Sequence, residues 1–100
     1  MTTIHDNAVI RRSPRVAYRD LGAGRGAVLL RLDTGAYHGI NKVGVLIWSL
    51  LEGSPSFAEL LPRVKGELEN VPAAFETEIR DFILSLRERD LIEVIDPKTK

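Results

Sequence analysis

An α+β fold of winged helix-turn-helix type, with a three-stranded antiparallel sheet followed by three helices, is what this 100-residue sequence predicts. Three observations carry the expectation. Residues 16–40 break into short apolar runs separated by glycine-containing turns, as a meander does. Residues 41–53 are apolar on nearly every side, the mark of a buried helix. Phe75, Ile79, Phe82 and Leu86 recur at helical intervals, so a later helix buries one stripe. A chain of this length builds one core and not two. Residues 1–100 are therefore expected to form a single domain, ordered over about 16–95.

The expected strands are Val16–Leu21, Ala27–Leu32 and Ala36–Ile40. Gly22-Ala23-Gly24-Arg25-Gly26 and Asp33-Thr34-Gly35 turn the chain between them. In the third strand the two-residue alternation sets His38 and Ile40 on one face and Tyr37 and Gly39 on the other. Upstream, Met1 to Asn7 reads as a flexible lead-in, and Arg11, Arg12 and Arg15 as a solvated basic segment. The central helix starts at Asn41, a good N-cap, and ends at Gly53, where a left-handed cap residue is wanted. Gly44 is expected to admit another backbone closely, and Trp48 to anchor the core. Ser56 and Glu59 have capping-box spacing for the second helix. Pro62 and Gly66 speak against its regularity, since a proline removes a backbone donor. Pro72 suits the first position of the third helix, which stops near Asp90. Leu91 to Ile95 then adds a short extended segment before a polar tail.

Lys plus Arg and Asp plus Glu number 14 each, so the net charge is zero. A neutral chain has no general attraction to nucleic acid or to an anionic membrane. The charge is uneven, however: residues 1–40 carry six Arg against three Asp, and the remainder is mildly acidic. There is no cysteine, which removes disulfides, a thiolate nucleophile and cysteine-based zinc sites. The first thirteen residues have no apolar signal core, and the cytoplasm is the expected compartment.

Catalysis finds little support. His5 and His38 are the two histidines, whereas a zinc site takes three or four protein ligands. Glu76, Glu78 and Asp81 read as a solvated helix face. No Ser-His-Asp set has a nucleophile elbow, and the glycine run lacks the Gly-Lys-Ser/Thr ending of a phosphate loop. No catalytic residue, metal or cofactor is assigned, and the chain is not expected to be an enzyme. DNA binding would use the third helix, but its three Arg stand against five acidic residues, and a helix entering the major groove should be basic. Peptide capture is the third class. The strand Ala36–Ile40 would be an open edge, and Gly39 lets a second backbone approach. The row Glu76, Arg80, Ile83 and Arg87 of the third helix is expected to face that edge. The alternative is an edge covered by the chain's own tail.

The run Val28-Leu29-Leu30-Arg31-Leu32-Asp33-Thr34-Gly35-Ala36-Tyr37-His38-Gly39-Ile40-Asn41, then Val43-Gly44 and Ile47-Trp48-Ser49-Leu50-Leu51-Glu52-Gly53, resembles the PqqD-like family, the RiPP recognition elements. The resemblance extends over roughly Val16 to Ile95 and favours peptide capture. It implies a non-catalytic, winged-helix-like domain that holds a precursor's leader peptide as an added strand. It is strongest to the standalone leader-binding half of the split B protein of lasso-peptide biosynthesis, with a separate cysteine protease as partner and a macrolactam synthetase nearby. A peptide chaperone for a radical enzyme in another pathway, or a DNA-binding winged helix, are the alternatives. Carried onto this chain, the resemblance points to Ala36, Tyr37, His38, Gly39 and Ile40. Helical phasing adds Arg80, Ile83, Leu84 and Arg87. Two positions depart from the family pattern: Pro62 interrupts the second helix, and Asp90 stands where a helix-ending glycine is common.

Overall fold

Short segments near the two ends of the chain, each with apolar residues, pair with one another. In the computed structural model, which describes residues 4–68 and 70–95, β1 (Val9–Arg12) pairs antiparallel with β5 (Ile92–Ile95), Ile10 opposite Val94. Between them run β2 (Val16–Asp20), β3 (Ala27–Arg31), β4 (Tyr37–Ile40), α1 (Lys42–Leu50), α2 (Phe57–Glu67) and α3 (Phe75–Glu88). The meander is as expected, a second sheet in the order β2-β3-β4 with β4 at its edge. Antiparallel strands followed by three helices make the fold α+β, and β1 with β5 adds a two-stranded ribbon.

The ribbon corrects the reading of the N-terminal segment from Ile4 onward; Met1 to Thr3, and the polar tail Asp96 to Lys100, lie outside the described residues. Ile4, Ala8 and Ile10 are all buried in the core. The Ala8 and Asp6 carbonyls accept the amides of Phe57 and Ala58 (2.9 and 2.7 Å). These are among the donors that a helix start leaves without an intrahelical partner, so the segment completes α2. Its arginines are engaged too. Arg12 Nε donates to the Trp48 carbonyl at 3.0 Å, and the guanidinium lies 5.1 Å from the Trp48 ring. Arg11 pairs with Glu93 across the ribbon.

Asn41 caps α1 as expected, its side chain accepting from the Gly44 amide at 2.9 Å. The helix gives way after Leu50 to a 3-10 turn, Leu51–Gly53, and the left-handed residue is Ser54 (φ 53°), not Gly53. Gly44 is buried for a different reason from the one expected. A Cβ there would lie 2.9 Å from Ile40 Cβ and 3.1 Å from Phe82 Cζ, so two side chains, not a backbone, require the glycine.

Both halves of the capping box form at Ser56 and Glu59. The hydrogen bond to the Ser56 amide holds the Glu59 carboxyl below its ordinary pKa. Helix α2 then runs unbroken through Pro62, contrary to expectation. The burial of Phe57, Leu60 and Val64 holds it in place. Helix α3 starts at Phe75, three residues after Pro72. It ends in a Schellman pattern: the Leu91 amide reaches the Leu86 carbonyl, the Asp90 amide reaches that of Arg87, and Asp90 itself is left-handed (φ 59°). Asp90 thus takes the backbone conformation a glycine would. The core between sheet and helices is filled by Leu29, Ile47, Trp48, Leu51, Ile83, Leu91 and their neighbours.

Candidate functional site

Strand β4 presents an open edge whose polar groups follow from its register. The Arg31 amide donates to the Ala36 carbonyl at 2.8 Å, and Leu29 stands opposite His38. Paired and unpaired positions alternate in an antiparallel ladder. His38 and Ile40 therefore bond to β3, while Tyr37 and Gly39 turn their N–H and C=O outward. Among the described residues no strand covers that edge, since β5 pairs with β1 instead. Ala36 sits just before the strand. Tyr37 is 71% exposed, Ile40 is buried and His38 half-buried, in keeping with the expected alternation. A Cβ on Gly39 would meet nothing within 4 Å, so its neighbourhood is open.

A groove of about 310 Å³ runs beside this edge, lined by His38, Gly39 and Ile40 on one side and Phe82, Ser85, Leu86 and Arg89 on the other. At Asn41 and Phe82 it continues into a more apolar pocket of about 350 Å³ between α1 and α3, with Ile47, Phe75, Ile79 and Glu78 in its wall. The strand half of the expected set is thus brought together with α3. The helix half is not the expected row. Ile83 is 0% exposed and belongs to the core. Arg80 points to the N-terminal segment: its Nη1 donates to the Ile4 carbonyl at 2.6 Å, its guanidinium stacks 4.6 Å from the Phe57 ring, and Nη2 meets Glu76 at 3.2 Å. Leu84 packs against the core, and Arg87 is exposed outside the groove lining. The apolar stripe of α3 has two flanks. Phe82, Ser85 and Arg89 form the one that meets β4; Glu76, Arg80 and Arg87 form the other. Phe82, Ser85 and Arg89 left no separate signal in the sequence: Phe82 reads there as one of the buried stripe, and its partial burial at the groove wall emerges only in the fold.

The groove is cationic at one end. Arg89 has no carboxylate within ion-pair distance among the described residues, while neighbouring Asp90 is paired with Arg31 at 3.4 Å. Burial lowers the His38 pKa, and the Arg89 charge lowers it further, so both favour the neutral imidazole. No group of three or more His, Cys, Asp or Glu among the described residues is placed to hold a metal, and no helix there is long and apolar enough to cross a membrane. What the arrangement offers is a backbone edge flanked by a helix, the geometry that takes up an extended peptide as one more strand.

That geometry has close counterparts. The chain belongs to the family of coenzyme PQQ synthesis protein D (PqqD), whose model matches residues 26–92. Two solved structures are similar over most of their length. One is TbiB1 in complex with the TbiA(beta) leader peptide: 32% identity, 83% of this chain and 94% of that one covered, TM-score 0.68. The other is a lasso peptide synthetase B1 complexed with the leader peptide: 25% identity, 84% and 96% covered, TM-score 0.67. No curated protein sequence matches.

Proposed function

We propose that this chain binds the leader peptide of a ribosomally made precursor, of lasso-peptide type, by adding it as a strand to β4. It then presents the peptide to a separate cysteine protease and to the macrolactam synthetase. The observation that carries the reading is the outward N–H and C=O of Tyr37 and Gly39 beside a helix-lined groove. Main-chain hydrogen bonds would give register there, and side-chain pockets specificity. The contact set on this reading is Tyr37, His38, Gly39 and Ile40 from the strand and Phe82, Ser85 and Arg89 from the helix. The similarity to two leader-peptide complexes supports it. So does the lack of cysteine, which suits a chain that binds and leaves cleavage to another.

The test uses peptides selected from a random 14-residue display library, because the natural leader is unidentified. Amide hydrogen exchange is then followed by NMR with and without a selected peptide. The amides of Tyr37 and Gly39 are expected to become protected on binding, while those of His38 and Ile40, already in the ladder, change little. Gly39→Pro removes an outward amide without touching the β3 ladder, and should abolish binding while circular dichroism stays native. Protection confined to another surface, or tight binding by a folded Gly39→Pro variant, would overturn strand addition at β4.

A further inference from the structure

The groove beside β4 differs in chemistry along its length. Its middle is apolar, from Ile40 and Phe82 to the pocket walled by Ile47 and Ile79. Glu78 stands in the wall at the pocket end, and Arg89, with Ser85 and His38, at the opposite end. Neither acid beside Arg89 in the chain neutralises it: Asp90 meets Arg31 at 3.4 Å, and Glu88, exposed on α3, lies outside the groove lining and forms no ion pair with Arg89. A positive charge without a local counterpart and a negative one at the far end make a groove with an electrical direction.

Resting on the leader-binding reading above, we infer that the Arg89 end of the groove is a carboxylate subsite, selecting a peptide with an Asp or Glu two residues from an apolar side chain. The spacing comes from the strand. His38 and Ile40 face α3, and the peptide residues beside them point the same way, since side chains two apart share a face. The peptide residue beside Ile40 lies against Phe82 and calls for an apolar side chain. The one beside His38 lies between that ring and Arg89. In an antiparallel addition, His38, already bonded to β3, meets the peptide as a non-hydrogen-bonded pair, whose side chains come closest. A carboxylate there accepts from the Arg89 guanidinium, and the Ser85 hydroxyl is a second donor within the same wall. The order of the two residues then reports the direction of the peptide: apolar first for antiparallel, acidic first for parallel.

The display library tests this directly, with the parent and Arg89→Glu screened side by side. Arg89 is exposed, so the substitution leaves the core intact. Peptides selected on the parent should share an acidic residue two positions from an apolar one, and those selected on Arg89→Glu should carry Lys or Arg at that position. Changing the acid of a parent-selected peptide to its amide should weaken binding by about fivefold, the upper end for a part-exposed ion pair. The same change should have no effect on binding to Arg89→Ala. Enriched peptides with no acidic position, or an acid whose removal costs Arg89→Ala as much as the parent, would overturn the subsite and leave strand addition standing. A library that yields no binders to the folded parent would overturn both.

Discussion

A single methyl group at position 44 tests how α1, β4 and α3 are locked together. In an open helix, Gly→Ala is stabilising by at most about 1 kcal/mol. At Gly44 the added Cβ would lie 2.9 Å from Ile40 Cβ and 3.1 Å from Phe82 Cζ. The first neighbour is bonded to the backbone at the end of β4, so no rotamer change moves it away. The second is the tip of a ring that can swing, but on one side of it lies the groove. Overpacking of this kind costs about 1–3 kcal/mol, which exceeds the gain in propensity. A net loss of about 1 kcal/mol is expected, a fall of about 4–8 °C in Tm for a domain of this size. Gly66, in α2, is the control: a Cβ there meets nothing within 4 Å, so Gly66→Ala should gain about 0.4–1 kcal/mol. Urea and thermal unfolding of the two variants, followed by circular dichroism, give the comparison. Peptide titration should show a weaker groove in Gly44→Ala alone, because Phe82 is pushed into it. If Gly44→Ala raises Tm as Gly66→Ala does, the close packing of Ile40 and Phe82 on α1 is wrong, and with it the position of the groove wall.

Trp48 is 4% exposed, and Trp48→Ala should cost about 3–5 kcal/mol, enough to leave little folded protein in a urea titration. Arg80→Ala frees the Ile4 carbonyl and uncovers Phe57. A charged hydrogen bond lost from a part-buried site costs about 1.5–3 kcal/mol, so the urea midpoint should fall while the folded variant keeps its peptide affinity. His38 supplies a pH dependence. Its folded pKa lies below the ordinary value of 6.5, chiefly through burial, so the unfolded chain takes up more protons. Its contribution is then full above the unfolded pKa and declines as pH falls below it. Midpoints measured from pH 8 down to pH 5 should drop less steeply in His38→Gln than in the parent.

The meander, the capped starts of α1 and α2, and the strand half of the groove were legible because each rests on a local pattern. Tyr37 and Gly39 alternate with His38 and Ile40, so the two sets are legible, while which set turns its backbone to the edge follows from the pairing with β3. Ser56 and Glu59 are three residues apart and need no distant partner. The ribbon was not legible. Val9–Arg12 ends in two arginines and finds its partner more than eighty positions away, Arg11 beside Glu93. Nothing within a short window distinguishes such a strand from a solvated basic segment. Gly53 and Ser54 fail for another reason: the turn tightens by one 3-10 step after Leu50, which moves the left-handed position one residue on.

The misplaced helix row follows from the missed ribbon and is not a separate error. An amphipathic helix announces its buried stripe but not which flank of that stripe meets a given strand. For α3 the stripe by itself does not choose between a flank with Arg80 and Arg87, the one expected, and a flank with Arg89. The choice is made by what else must be covered. Once Ile4 and Ala8 are packed on the start of α2, Arg80 has a carbonyl to bond and a ring, Phe57, to lie on. That flank is then closed by the chain itself. Ile83, between the flanks, becomes fully enclosed, and only the Phe82, Ser85 and Arg89 side remains to face β4. The N-terminal segment therefore acts at a distance from the groove: by occupying one flank of α3 it settles which side chains the other flank offers to a peptide.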